Sequence, residues 1–445
     1  MHVPGSEHLP RRDGCCSNEG PFSKDGTEAR EAICSHAEID DSGRVVVDNA
    51  VSMGYGFKPG APLLIEQRPE GLLLRRPVTH LSRIYLEPTG HCNLACRTCQ
   101  RDTWDESPGH MSSSVFQRVL EGIRAASPPP AVVFGGFGEP LLHPDLTDWV
   151  ASVKRLKARV ELITNATLLV EDVARKLIDG RLDMLWVSLD GATPDGYARV
   201  RTGVELSRVL EHVKKFRELA AAVTGSPPSL GIVFVATRSN VGELPELLRL
   251  ADRLRVRRVL VSNVVAYSPG LKDDSLFDQS LPVDPHPADR RCRKLTLPRF
   301  DPGALSAEIL GGIHHSGWGV ESAGGSADTV RNRCPFVDAG AMAVRHDGRV
   351  SPCLPLMHNH STHLLAARSD WRAYTVGNLE ETPLEDIWSS PAYLSFRQRV
   401  QAFDFAPCTA CAGCAFSADN LDDCFGSGFP SCGACPWAQG FVLCP

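Results

Sequence analysis

The feature that most constrains the fold is a regular alternation of short β-rich segments and helix-length segments between residues 80 and 268. Six runs rich in β-branched and aromatic residues are predicted strands: Ile84–Leu86, Ala131–Phe134, Val160–Ile163, Leu185–Ser188, Ile232–Val235 and Val259–Val261. Intervening segments such as Ser113–Ala126 and Leu206–Ala222 space Leu, Val and Ile at helical intervals. Six βα units in a row predict an α/β fold whose parallel sheet curves into a partial (β/α)6 TIM-like barrel, with its chemistry at the carboxyl ends of the strands.

The cysteines indicate a chain that binds metal. Of the 16 cysteines, nine fall between Cys334 and Cys444. The first residues lack the apolar core of a signal peptide, and no run approaches the roughly 18 apolar residues of a membrane span. We therefore expect a cytoplasmic protein, in which clustered cysteines favour metal or redox chemistry over disulfides. The net charge of −6 argues against binding to nucleic acid or to a membrane surface.

Composition divides the rest of the chain. Residues 1–40 carry scattered charge without periodicity, which predicts a flexible tail. Residues 269–330 are richer in Pro, Gly, Ser and Asp, which predicts a linker between the barrel at residues 80–268 and a cysteine-rich domain at residues 331–445.

A small β-rich module is predicted over residues 41–78. Gly43–Val47 has strand composition, Lys58-Pro59-Gly60 marks a turn, and Pro62–Glu66 pairs with Gly71–Arg75 as a hairpin. The segment resembles the swapped-hairpin AbrB-type fold, which implies a homodimer and, in many members, DNA binding. Residues 42–77 hold five Lys or Arg against three Asp or Glu, so the weak charge favours a partner-docking module over a DNA reader.

Three cysteines follow the first predicted barrel strand. Cys92, Cys96 and Cys99 have the spacing C-x3-C-x2-C on one short loop. Soft thiolates suit iron–sulfur clusters, and three of them can bind three corners of a cubane while its fourth iron stays open to a small chelator. Zinc, the alternative, needs a fourth ligand nearby, which His91 is badly placed to supply. The loop is therefore a candidate site for a catalytic [4Fe–4S] cluster.

This loop, EPTGHCNLACRTC at residues 87–99, resembles that of the radical S-adenosylmethionine (radical SAM) superfamily, and the resemblance covers about residues 80 to 445. It implies that the open iron binds the amino and carboxylate groups of S-adenosylmethionine (SAM). One electron from the cluster, supplied by a donor such as ferredoxin or flavodoxin, then cleaves SAM to methionine and a 5′-deoxyadenosyl radical, which abstracts a hydrogen atom from the substrate. The protein binds, orients and shields the reacting groups.

A glycine-rich sequence after the second strand strengthens this resemblance. FGGFGEP at residues 134–140 is similar to the family's glycine-rich loop. The similarity implies that Gly135, Gly136 and Gly138 approach the methionine part of SAM closely, and that Glu139 accepts a hydrogen bond from its ammonium group.

Two more strand ends fit the same family. Asn165, in the sequence TNAT after the third strand, is a candidate ribose contact. SLDG at residues 188–191 implies that Ser188 contacts the ribose or the carboxylate of SAM, with Asp190 in the same motif. Arg201 is a candidate partner for the methionine carboxylate or for a substrate oxygen. The alternative for each residue is a turn that closes a strand.

The C-terminal domain carries enough cysteines for two further clusters. Cys334 opens it, and a G-x4-C step ends at Cys353. The others are Cys408, Cys411, Cys414, Cys424, Cys432, Cys435 and Cys444. The arrangement resembles the SPASM domain, which implies two auxiliary [4Fe–4S] clusters, with zinc as the alternative. The sequence HNHSTH at residues 358–363 could hold a metal or move protons, but a solvated polar loop is favoured.

Two segments indicate a particular subgroup of the radical SAM superfamily. CQRDTWDE at residues 99–106 and the stretch from DDCFG to CPWAQG at residues 422–440 resemble maturases of tungsten-containing aldehyde oxidoreductases. The resemblance implies a protein substrate or its cofactor, which an extra domain over the barrel mouth suits better than a small metabolite. Modification of a ribosomally made peptide is the second hypothesis. A non-enzymatic iron–sulfur redox sensor is the third, but such a sensor needs no SAM pocket.

Overall fold

The structure is a computed structural model that describes residues 37–47, 64–68, 71–75, 77–276, 294–298, 309, 319–322, 333–364, 367–406, 416 and 418–445. The chain divides into two units, residues 1–58 and 59–445. In the first unit, β1 (Ala37–Ile39) pairs antiparallel with β2 (Val45–Val47), which confirms the strand expected at Gly43–Val47. The expected turn at residues 58–60 and most of the expected tail lie outside the described residues.

The second unit begins with the predicted hairpin and continues into a large sheet. β3 (Leu64–Arg68) and β4 (Gly71–Arg75) pair antiparallel. The six barrel strands all form where predicted: β5 (Arg83–Leu86), β6 (Ala131–Phe134), β7 (Val160–Thr164), β8 (Met184–Ser188), β9 (Ser229–Ala236) and β10 (Arg258–Asn263). Each pairs in parallel with the next along the chain, so their carboxyl ends lie along one edge of the sheet.

Helices cover the sheet between these strands. They are α1 (Ser113–Ala125), α2 (Leu146–Arg155), α3 (Glu171–Asp179), α4 (Pro194–Val200), α5 (Leu206–Ala221) and α6 (Leu244–Arg253). α1 illustrates why these segments form helices that pack on the sheet. The Ser112 hydroxyl caps its first turn by accepting a hydrogen bond from the Val115 amide at 3.2 Å, and the helix buries Phe116, Val119 and Ile123 on one face. The apolar core therefore fills the space between helices and sheet. None of the helices in the described part of the chain combines the length and apolar character needed to cross a membrane.

The sheet continues beyond the barrel strands at both ends. β11 (Lys294–Leu297) and β12 (Gly319–Ser322) add to β10 in parallel, so the segment expected to be a linker contributes two strands. At the other end, β13 (Ala341–Val344) pairs in parallel with β5, followed by β14 (Arg349–Ser351) and β17 (Gly377–Asn378). The cysteine-rich domain is thus joined directly to the strand that precedes the three-cysteine loop.

The C-terminal domain also contains three helices and a hairpin. They are α7 (Pro335–Asp338), β15 (His360–Leu364), β16 (Ala367–Trp371), α8 (Leu384–Ser389) and α9 (Pro391–Ala402). β15 and β16 form an antiparallel hairpin.

Candidate active site

Four loops meet at the carboxyl edge of the parallel strands, as the sequence predicts. The cysteine loop follows β5, the glycine-rich loop follows β6, Asn165 follows β7 and Asp190 follows β8. The cysteine loop also contacts α4, because the Arg97 amide donates to the Val200 carbonyl oxygen at 3.0 Å. The residues that carry the candidate chemistry are therefore brought together by topology.

The three thiols of the cysteine loop are half-buried and lie near two cations. Burial raises the pKa of Cys92. It also raises the pKa of Cys96 to about 11, although the positive charge of Arg201 lowers that pKa in part. The Arg101 guanidinium lies near all three thiols, and it donates to the Leu94 carbonyl oxygen at 2.6 Å. Because thiolates are the form that binds iron, a bound cluster would displace the protons of these thiols. This donor set fits an iron–sulfur cluster.

The glycine-rich loop packs directly on the cysteine loop. A Cβ atom at Gly138 would lie 1.9 Å from the Thr89 carbonyl oxygen, and the neighbouring Glu139 amide donates to the His91 carbonyl oxygen at 2.8 Å. Gly136 has a φ of +97°, in the left-handed region that side chains other than glycine rarely adopt. Glycine at these positions is what allows the two loops to touch.

Glu139 fastens the β6 loop to the end of β7. Its Oε1 accepts hydrogen bonds from the Thr164 hydroxyl at 2.6 Å and the Leu141 amide at 3.1 Å, and its Oε2 accepts one from the Asn165 amide at 2.8 Å. Burial raises the pKa of this carboxyl group. A carboxylate oxygen can accept more than one hydrogen bond, so Oε2 retains capacity for a further donor.

Asn165 connects the end of β7 to the cysteine loop. Its Nδ2 lies 3.1 Å from the Asn93 Oδ1 and 3.8 Å from the Cys92 sulfur. Asn93 in turn donates through Nδ2 to the Thr167 hydroxyl at 2.7 Å. The next residue, Ala166, has a φ of +59°, so this position is one that glycine would fill without strain.

Asp190 and Arg201 form a buried pair on the other side of the loop. The Asp190 Oδ2 lies 2.8 Å from both Nε and Nη2 of Arg201, while its Oδ1 accepts from the Val235 amide at 2.8 Å. Ser188 is half-buried at the end of β8. The guanidinium is thus held beside Cys96 by a carboxylate that is itself fixed to β9.

Four C-terminal cysteines line one cavity. Cys334, Cys353, Cys432 and Cys435 surround it together with apolar side chains that include Phe336 and Val400. Burial raises the pKa of Cys334 to about 12 and that of Cys435 to about 11. The protein alone therefore keeps these thiols protonated, and a bound metal would displace their protons. Four thiols around one apolar cavity fit a fully ligated iron–sulfur cluster.

Comparisons with known proteins identify the family to which the strand-end loops and the C-terminal cysteines belong. The model of the radical SAM superfamily matches residues 86–251, and that of the iron–sulfur cluster-binding SPASM domain matches residues 334–415. The tungsten-containing aldehyde ferredoxin oxidoreductase cofactor-modifying protein of Pyrococcus furiosus is 30% identical over 366 residues, which cover 81% of this chain and 96% of that protein. The chain belongs to the radical SAM superfamily. It is an enzyme, and its cofactors are SAM and a [4Fe–4S] cluster.

Two other comparisons show further similarity. PqqA peptide cyclase of Gluconobacter oxydans is 26% identical over 317 residues, which cover 70% of this chain and 77% of that protein. Among solved structures, anSMEcpe with bound AdoMet aligns with a TM-score of 0.53 at 15% identity, over 81% of this chain and 92% of that one. The solved structure confirms the predicted α/β fold, and the SPASM match confirms the predicted cysteine-rich C-terminal domain.

Of the remaining candidate ligands in this radical SAM chain, Cys424 and Cys444 are described, and neither is among the residues that line the four-cysteine cavity. Cys444 accepts a hydrogen bond from the Trp437 indole at 3.1 Å, and Cys424 is exposed. Cys408, Cys411 and Cys414 lie outside the described residues. Across the described ranges, no three His, Cys, Asp or Glu side chains converge to hold a single metal ion.

The sequence interpretation of the histidines after Cys353 was wrong for two of them. His358 is 0% exposed and His360 is 5% exposed, so they are not part of a solvated loop. His358 Nε2 lies 3.0 Å from the Glu87 Oε2, and its Nδ1 is hydrogen-bonded to the Glu106 Oε1. His346 Nδ1 also contacts Glu87, at 3.1 Å. A buried network therefore connects the cysteine loop to the C-terminal domain, which sequence reasoning missed.

Proposed function

We propose that this enzyme reductively cleaves SAM at a cluster held by Cys92, Cys96 and Cys99. The observation that carries the proposal is the convergence of these thiols with the glycine-rich loop and two cations at one sheet edge. When bound, such a cluster supplies one electron that breaks a sulfonium bond of SAM to give methionine and a 5′-deoxyadenosyl radical. The protein's own groups bind SAM, orient it and exclude water.

The strand-end residues are assigned to SAM within this proposal. Backbone groups of Gly135, Gly136 and Gly138 approach the methionine moiety, and Glu139 accepts from its ammonium group through the remaining capacity of Oε2. Ser188 and Asn165 are assigned to the ribose side. Arg201, held by Asp190, faces the methionine carboxylate or a substrate oxygen.

We assign one auxiliary cluster to Cys334, Cys353, Cys432 and Cys435, because these four thiols share a cavity. The second is assigned to the pool of Cys408, Cys411, Cys414, Cys424 and Cys444. Full ligation leaves no open iron, so these clusters are suited to conducting electrons rather than to binding SAM. Ferredoxin or flavodoxin is the proposed external donor.

The proposed substrate is a tungsten-containing oxidoreductase or its cofactor. The support is the relative from Pyrococcus furiosus, whose similarity extends over almost its whole length and includes both domains. A domain joined to β5 through β13 adds a surface beside the barrel mouth on which a large partner can rest. Maturation is therefore favoured over chemistry on a free metabolite.

The test has two arms. Anaerobically reconstituted protein is mixed with dithionite and SAM, with or without the oxidoreductase isolated from a strain that lacks this chain. We expect 5′-deoxyadenosine release and recovery of oxidoreductase activity. An oxidoreductase that is fully active in the deletion strain would refute the maturase assignment while leaving SAM cleavage intact.

Modification of a ribosomally made peptide is the second candidate. The relative named PqqA peptide cyclase supports it, because its similarity also spans more than two thirds of both chains. A short precursor peptide that gains a new covalent bond in the same assay, with no effect on the oxidoreductase, would favour this function.

A further inference from the structure

Both ring nitrogens of His358 face carboxylates. Nε2 lies 3.0 Å from the Glu87 Oε2 and 3.3 Å from its Oε1, and Nδ1 is hydrogen-bonded to the Glu106 Oε1. An ionised carboxylate only accepts hydrogen bonds, so both nitrogens must carry a proton and the ring must be an imidazolium. The Trp104 indole stacks on this ring with centroids 3.9 Å apart and an interplanar angle of 15°, as a cation–π contact requires.

The two carboxylates belong to the segments that build the SAM site. Glu87 directly follows β5 and is the first residue of the cysteine loop, and its Oε1 also accepts from the Phe137 amide of the glycine-rich loop at 3.1 Å. Glu106 follows the cysteine loop. His358 itself comes from the C-terminal domain, five residues after Cys353. One side chain therefore links the auxiliary domain to both loops of the catalytic site.

We propose that His358 is a positioning residue that holds the cysteine loop and the glycine-rich loop in the geometry that binds SAM. The inference rests on the proposed function, because it takes SAM as the ligand of these loops. The hydrogen bonds of the His358 ring go to Glu87 and Glu106, and its ring contacts are with Trp104, Phe137 and His346, so it acts on the SAM site through these neighbours. Its effect depends on its positive charge, since a neutral imidazole can donate to only one of the two carboxylates.

The groups around His358 make this charge dependent on pH. Glu87 and Glu106 stabilise the imidazolium, whereas Arg345, which pairs with Glu106 at 2.7 Å, opposes it. Two more histidines are near: the His346 ring centroid lies 6.3 Å from that of His358, and the His360 Nδ1 lies 3.0 Å from the His358 carbonyl oxygen. Because the carboxylates prevail, the pKa of His358 is raised above its ordinary value of 6.5. SAM affinity should therefore fall as pH rises through this pKa.

The test measures the dissociation constant of SAM across pH by equilibrium dialysis of the anaerobically reconstituted protein. The variants are His358→Gln, Glu106→Gln and the control His363→Gln, a half-buried residue of the same stretch that lies outside the network. We expect His358→Gln to weaken SAM binding about tenfold at low pH and to remove the pH dependence that wild type shows beyond the titration of SAM itself. Glu106→Gln removes a carboxylate that favours the imidazolium, so it should move the midpoint to lower pH.

Each outcome decides the proposal. An unchanged affinity and pH profile in His358→Gln, equal to the control, overturns it. If His358→Gln loses iron or fails to fold, the Glu106→Gln variant tests the proposal instead. A merely structural role of His358 predicts that the pH midpoint of SAM affinity is the same in Glu106→Gln as in wild type. Wild-type protein that does not bind SAM at any pH refutes the proposed function, whereas wild-type binding with the same midpoint in Glu106→Gln refutes only this inference.

Discussion

Arg201 and Asp190 form an ion pair that is almost wholly removed from solvent, with Nε and Nη2 of the arginine both 2.8 Å from one carboxylate oxygen. Replacing Asp190 by Asn leaves the guanidinium buried without a counter-charge. Breaking a buried pair in this way costs about 3 to 5 kcal/mol, so we expect Asp190→Asn to lower the free energy of unfolding by about that amount. Urea unfolding of the reconstituted protein measures it.

An exposed pair provides the control for this prediction. Glu246 accepts from Arg249 on the surface of α6 at 2.8 Å. Glu246→Gln should cost less than about 1 kcal/mol, because water screens exposed charges. Equal costs for the two substitutions would show that burial of the Asp190–Arg201 pair is energetically unimportant.

The three-cysteine loop can be tested by removing its thiols. Replacing Cys92, Cys96 and Cys99 by Ala should abolish SAM cleavage and remove about four irons per chain, while the iron of the C-terminal domain stays. Iron analysis and 5′-deoxyadenosine assay measure both effects. Loss of all iron, or persistent cleavage, would contradict the assignment.

The cavity of four cysteines predicts a complementary result. Replacing Cys334, Cys353, Cys432 and Cys435 by Ala should remove about four irons from a total of about twelve and leave the catalytic cluster in place. Electron paramagnetic resonance with added SAM distinguishes the clusters, because only an open iron responds to SAM. Stoichiometric zinc in wild-type protein with only four irons would instead support the zinc alternative.

The barrel could be predicted from sequence because each strand is a short, mostly apolar run and most of its residues are buried. All four residues of β6 are buried, for example, so its composition alone distinguishes it from the amphipathic helices beside it. Parallel pairing then places every strand's carboxyl end at the same edge. The loops after β5, β6, β7 and β8 consequently come together without any further information.

The contacts of the C-terminal domain could not be predicted in this way. His358 and Glu87 lie 271 residues apart, and no periodicity or turn signal links them. The same holds for β13, which is the sheet neighbour of β5 although the whole barrel lies between the two strands in the sequence. β11 and β12 were missed because they are short and lie in a segment rich in Pro, Gly, Ser and Asp. Long-range packing, not local propensity, decides these elements.

The buried network predicts a pH window for stability. Burial alone would raise the pKa of Glu87, but hydrogen bonds from His346 and His358 lower it to about 2. Its stabilising effect is therefore present above its ordinary pKa of 4.5 and is lost as pH falls below that value. For His358, burial would lower the pKa, but hydrogen bonds with Glu106 and Glu87 raise it. Its effect is present below pH 6.5 and is lost as pH rises through the raised pKa.

The network should thus stabilise the protein most between pH 4.5 and 6.5. The difference in urea midpoint between wild type and His358→Gln should be largest in that window and should shrink toward alkaline pH. A difference that stays constant from the window to alkaline pH would show that the charge of His358 does not stabilise the fold.

Gly138 offers the sharpest test of how the proposed SAM site is assembled. A methyl group at this position would lie 1.9 Å from the Thr89 carbonyl oxygen, a backbone atom that cannot rotate away. Gly138→Ala should therefore separate the glycine-rich loop from the cysteine loop, lower the free energy of unfolding by about 1 to 3 kcal/mol and weaken SAM binding more than tenfold. Gly242→Ala is the matched control, because a Cβ atom there meets no atom within 4 Å. It should leave both quantities unchanged. A Gly138→Ala protein that binds SAM as tightly as the control would mean that contact between these two loops is not required for the site.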